Sequence, residues 1–118
     1  MIKHSFSIIK ETIKKEKIST WINSKLIVNT IEINDEFIEK KIKELNSIKT
    51  IWVKSDTNRE PNVGLNYYGI TIIPDNQIEK LTKIFQNNID FNNKETFEKL
   101  IRSITNKNSD EILVHFGI

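Results

Sequence analysis

The chain has 118 residues, of which 37% are hydrophobic and 29% are charged, and its formal net charge is +2. This composition predicts one folded domain over residues 1–118, and the absence of cysteine excludes disulfides, thiolate nucleophiles and cysteine-ligated zinc. No segment has the length and apolar character of a membrane span or a secretory signal, so we expect a cytoplasmic protein.

The N-terminal third allows more than one interpretation. In residues 1–17 a stripe at helical spacing competes with a strand-like alternation, and the longer stripe favours a helix. The stripe consists of Ile2, Phe6, Ile9 and Ile13, and the alternation consists of Ile2, His4, Phe6 and Ile8. Residues 18–33 are predicted to be extended, and the Asn23-Ser24 pair is compatible with a hairpin turn.

The middle of the chain predicts a helix followed by a strand. Asn34 is expected to cap a helix that reaches about Asn46, because apolar residues recur on one face behind it. These residues are Phe37, Ile38, Ile42 and Leu45. Residues 48–55 then read as a strand, and residues 56–64 as the longest irregular segment, which is the kind of connection that often carries function.

The second half has the clearest pattern. Residues 66–73 are rich in β-branched and aromatic residues and predict a strand that Pro74 ends, and Asp75 opens a helix through about Gln86. Asn92 and Glu95 resemble a capping box for a second helix. Residues 111–118 read as a final strand. The predicted class is α+β, with a mixed or antiparallel sheet of about four strands, a ferredoxin-like β-α-β-β-α-α-β order and an added N-terminal helix.

The residues that catalysis requires are few. His4 and His115 are the only histidines, and His115 lies between Val114 and Phe116, where a residue on a sheet face is expected. A general-base role for His115 would need a carboxylate and an open pocket beside it. No phosphate-binding glycine loop, zinc-protease motif or nucleophile elbow occurs. We therefore expect neither an enzyme nor a bound cofactor or metal.

Nucleic-acid binding is the alternative that the sequence leaves open. A platform of Trp21, Trp52, Tyr67 and Tyr68 beside lysine-rich helices would suit it. Against this, Arg59 and Arg102 are the only arginines, and the lysines are interleaved with glutamates as on a solvated helix face.

A protein-binding surface is the favoured hypothesis. Arginine, tryptophan and tyrosine dominate binding hot spots, and all three occur around the irregular segment. The candidate partner-binding residues are Trp52, Asp56, Arg59, Glu60, Tyr67 and Tyr68.

The chain resembles the small immunity proteins of bacterial polymorphic-toxin and contact-dependent growth-inhibition systems. The resemblance rests on a cysteine-free α/β chain rich in Ile, Lys and Asn, with the stretch GLNYYGITIIP over residues 64–74 leading into an amphipathic helix. It implies a bacterial, non-enzymatic monomer or weak dimer that binds the C-terminal domain of a cognate toxin. An acidic face like that of many nuclease inhibitors would have to come from a local patch, because the net charge is positive. Candidates for such a patch are Asp56, Glu60, Asp75 and Glu79.

Overall fold

A computed structural model describes residues 3–10, 27–54, 58–86, 94–108 and 111–117. Six strands and four helices lie in these ranges. The strands are β1 (Lys3–Lys10), β2 (Ile27–Asn34), β3 (Lys49–Val53), β4 (Arg59–Val63), β5 (Ile70–Ile73) and β6 (Glu111–Phe116). The helices are α1 (Asp35–Lys40), α2 (Ile42–Leu45), α3 (Asp75–Gln86) and α4 (Lys94–Thr105).

The strands form one antiparallel sheet in the order β2-β1-β6-β5-β3-β4. The α+β class is therefore confirmed, but about four strands was an underestimate. The ferredoxin-like order is also not found, since it would place β2 between β6 and β5, whereas β2 is an edge strand and β1 lies between it and β6.

The predicted N-terminal helix is wrong over the described residues. Residues 3–10 form β1, so His4, Phe6 and Ile8 lie on one face, as the competing alternation indicated. Pairing on both sides explains this outcome, because β1 bonds to β2 and to β6 along nearly its whole length. The backbone bonds and burial that follow outweigh the local helix preference.

The helices cover one face of the sheet and build the main core. Aromatic rings of α1, α3 and α4 meet there, with the Phe37 and Phe97 centroids 4.3 Å apart and the Phe85 and Phe97 centroids 5.4 Å apart. Phe6 of β1 contacts Phe85 from the sheet side. A second apolar cluster lies on the opposite face of the sheet. Its buried members are Ile9, Val53, Ile72, Ile112 and Val114.

Three other predicted boundaries change. The helix predicted from Asn34 to Asn46 is interrupted at Lys41, and Asn34 precedes it without a side-chain capping bond. The irregular segment contains β4. The strand predicted over 66–73 begins only at Ile70.

The remaining elements follow the predictions more closely. Helix α3 and strand β6 lie where they were expected, and α4 follows the proposed capping box. Asn92 of that box and the Asn23-Ser24 turn lie outside the described residues. None of the helices that the structure describes is long and apolar enough to cross a membrane.

Candidate functional site

A buried polar cluster lies at one end of the sheet, under the residues that connect β4 to β5. It is built around His4 of β1 and His115 of β6, whose side chains are fully buried. Phe6 is the register partner of His115, so His4 reaches His115 diagonally across the two strands. The two imidazoles stack with centroids 5.0 Å apart.

Every ring nitrogen of the pair has a partner. His4 Nδ1 and His115 Nε2 are 2.8 Å apart, and His4 Nε2 is 2.9 Å from Oδ1 of Asp35 at the start of α1. His115 Nδ1 lies 3.4 Å from the hydroxyl of Thr71, which accepts a bond from the Asn66 N–H at 2.7 Å. The hydrogen bonds thus form a chain from the protein surface at Asp35 to the middle of the sheet at Thr71.

The Asp35 carboxylate determines the direction of this chain. Its pKa is lowered, because it accepts hydrogen bonds from the Tyr67 hydroxyl and from His4, so it carries no proton near pH 7 and His4 Nε2 must donate to it. When His4 is neutral, its Nδ1 then accepts from His115 Nε2–H, and His115 Nδ1 accepts from Thr71. Burial, and to a lesser extent charge on His4, lowers the pKa of His115 to about 3. His115 is therefore neutral near pH 7.

Tyr67 closes the cluster on the outside. Its hydroxyl donates to Asp35 Oδ1, and its ring contacts the His4 ring edge-on at 4.8 Å between centroids. The hydrogen bond to Asp35 raises the pKa of the phenol, and burial adds to the effect. Tyr68 packs against Tyr67 with centroids 5.0 Å apart but remains 78% exposed.

The predicted partner-binding residues are divided among separate places. Glu60 pairs with Trp52 and Arg59 pairs with Val53 in the β3–β4 ladder, so Glu60 and Arg59 project from opposite faces of the sheet. The Trp52 indole N–H donates to the Gly64 carbonyl at 3.1 Å, and Lys54 lies over its ring. Asp56 lies outside the described residues. Tyr67 and Tyr68 sit by the histidine cluster.

Arg59 also borders a cavity of about 370 Å³ on the face opposite the helices. Ile51, Ile72 and Ile112 form much of its lining, and Asp75 lies at its edge. Asp75, a candidate for the acidic patch, pairs with Lys107 at 3.0 Å, which offsets its charge. Glu79 likewise pairs with Lys83 along α3.

Strand β4 is an edge strand with few free backbone donors. The bonds Lys54 N–H to Asn58 O and Gly64 N–H to Ile48 O mark the hydrogen-bonded pairs of the β3–β4 ladder. Because such pairs alternate, the backbone of Arg59, Pro61 and Val63 faces away from β3. Pro61 has no N–H, and the Val63 N–H donates to Oδ1 of Asn62 at 2.9 Å. This edge is protected against strand addition.

Sequence reasoning missed His4, Asp35 and Thr71 as a unit. The one available signal was the alternation of His4 with Phe6 and Ile8, which places the imidazole on the buried face of a strand. Asp35 reads as an ordinary helix-start residue. Among the described residues, no group of three or more His, Asp or Glu side chains is arranged to hold a metal.

No protein-family model matches the chain. Searches among curated proteins and among solved structures also find no match.

Proposed function

We propose that this protein binds another protein through the surface around Tyr68, and that it acts as an immunity protein that neutralises a cognate toxin domain. The observation that carries the proposal is that Tyr68 is exposed and packs on Tyr67, whose position is fixed by buried residues. Its ring rests on Tyr67, and Tyr67 is bound to Asp35 and packed on His4. A tyrosine held in this way loses little conformational freedom on binding.

The charge around the tyrosine pair favours a positively charged partner. Asp35 and Glu39 both lie close enough to Tyr67 for their negative charges to raise its pKa. Complementary charge speeds association and selects partners. A toxin domain that acts on nucleic acid carries such a basic surface, so the local charge supports this class of toxin although the net charge of the chain is positive.

The shortage of free backbone donors on β4 favours binding through side chains. A partner that approached this edge would find few backbone donors, so contact through side chains is favoured over strand addition. Glu60 is exposed on this strand, at the sheet edge formed by β4, and it is a separate candidate contact from the tyrosine pair.

The test begins with a pull-down. Tagged protein is recovered from its native cells after nuclease treatment, washed at high salt and analysed by mass spectrometry. The proposal predicts one stoichiometric protein, and production of the captured domain alone should arrest growth while co-production with this protein restores it. Recovery of nucleic acid alone, at low salt and without nuclease, would instead support the nucleic-acid-binding alternative.

A further inference from the structure

The histidine pair admits two hydrogen-bond arrangements that differ by one proton. In the first, both rings are neutral, and donation runs from Thr71 through His115 and His4 to Asp35. In the second, His4 carries a proton on each nitrogen, His4 Nδ1–H donates to His115 Nε2, and His115 Nδ1–H donates to Thr71. Both use the same heavy-atom contacts of 2.9, 2.8 and 3.4 Å.

We infer that His4 and His115 form a one-proton switch, in which protonation of His4 is coupled to a change of tautomer in His115. The net change between the two arrangements is the uptake of one proton from solvent. The hydrogen between the rings passes from His115 Nε2 to His4 Nδ1, and the incoming proton ends on His115 Nδ1. The Thr71 hydroxyl changes from donor to acceptor.

A second proton is blocked by the same geometry. If both rings were cations, two N–H groups would face each other across the 2.8 Å contact, inside a site that excludes water. Two like charges at this distance repel strongly when they are buried. The pair therefore holds at most one added proton while the protein stays folded, and Asp35 supplies its counter-charge.

The surroundings contribute few other charges. Among the residues that the structure describes, Asp35 bonds to His4 and Tyr67 packs against it, and Glu39 and Tyr68 act on Tyr67 from further out. Lys3 of β1 and Glu32 of β2 pair with each other at 3.5 Å. Alternation along β1 places Lys3 on the face opposite His4. The switch thus depends mainly on Asp35.

Proton uptake changes the surface used in the proposed function, on which this consequence rests. A cation at His4 offsets the negative charge of Asp35 beneath Tyr67, so the surface offered to a basic partner becomes less negative. Affinity for such a partner is then expected to fall as the pH falls.

The test uses the isolated protein, so it does not depend on any partner. Long-range ¹H–¹⁵N NMR reports which nitrogens of each ring carry protons, from about pH 8 to about pH 5. We expect one ring, His4, to become doubly protonated, and His115 to move its proton from Nε2 to Nδ1 with the same midpoint. Separate midpoints, an unchanged tautomer of His115, or no titration before acid unfolding would each overturn the inference.

Two variants test whether Asp35 is the group that stabilises the protonated histidine pair. Asp35→Asn removes the counter-charge, so the doubly protonated form of His4 should be less populated at a given pH. Glu39→Gln removes a neighbouring carboxylate that bonds to neither histidine and should leave both tautomers in place. Equal effects of the two variants would contradict the assigned role of Asp35.

Discussion

The Nδ1 atom of His4 lies 2.8 Å from the Nε2 atom of His115, although 111 positions separate these residues in the chain. The contact exists because β1 is inserted between β2 and β6, which brings the first and last strands together. It connects the middle of the sheet to Asp35 and, through Tyr67, to the surface. A structural feature of the core and the proposed binding surface are thereby linked.

Stability should fall in acid because His115 must stay neutral in the fold. Its folded pKa is lowered to about 3, whereas an unfolded histidine titrates near 6.5, so the unfolded chain binds more protons between these values. Stability is full above about pH 6.5 and is lost as the pH falls towards about 3, by a few kcal/mol. Asp35, whose pKa is also lowered, adds a loss below about pH 4.

Urea denaturation between pH 7 and pH 4 measures this dependence. The variant His115→Gln should show a shallower slope of unfolding free energy against pH, even if it is less stable at pH 7. A slope equal to that of the wild type would show that His115 does not cause the loss of stability in acid.

Removal of the Tyr67 hydroxyl should raise the pKa of Asp35. The hydroxyl is the main cause of the lowered pKa, so Tyr67→Phe should return the carboxyl towards its ordinary value while the ring still packs on His4. Carboxyl ¹³C NMR follows the titration directly. Tyr68→Phe is the matched control, and an equal shift in both variants would refute the assignment.

Gly64 should not tolerate a side chain. Its φ angle is +68°, and an added Cβ would collide with the Asn46 side chain. Its carbonyl also accepts bonds from Thr50 and Trp52. Gly64→Ala should cost at least about 1 kcal/mol in unfolding free energy. Adding Asn46→Ala should recover the part due to the collision, and an undiminished stability of Gly64→Ala would contradict the account.

The protein should self-associate through the β4 edge when that edge gains free backbone N–H groups. The double variant Pro61→Val, Asn62→Ser restores a backbone N–H at one position and releases the Val63 N–H at another. Self-association should then appear in size-exclusion chromatography with light scattering at concentrations where the wild type shows none. Glu60→Gln, which changes charge but no outward donor, controls for solubility. An unchanged mass for the double variant would count against edge protection.

The sequence predicted best where periodicity was strong. Helices α3 and α4 have apolar residues at helical spacing, and β6 is a short, mostly apolar run that is buried on both faces, as the structure confirms. Strand β4 was missed because Arg-Glu-Pro-Asn-Val shows no apolar alternation. An edge strand with mostly exposed residues does not require one.

The buried cluster could not be predicted by local reasoning. His4, Asp35 and His115 lie on β1, α1 and β6, and only the strand order brings them together. Residues 2–8 carry the strand-like alternation, but the helical stripe is longer and therefore predicts a helix. Long-range pairing with two strands decided the conformation, and periodicity within a short window does not report such pairing.

The most direct test of the account is the affinity of the captured partner for a set of surface variants, measured by titration calorimetry. We predict that Tyr68→Ala weakens binding by about 2 kcal/mol, which is roughly 30-fold, while Lys83→Ala on the exposed face of α3 leaves it unchanged. If Tyr68→Ala binds as tightly as the wild type, the surface around Tyr68 is not the binding site and the central claim is wrong.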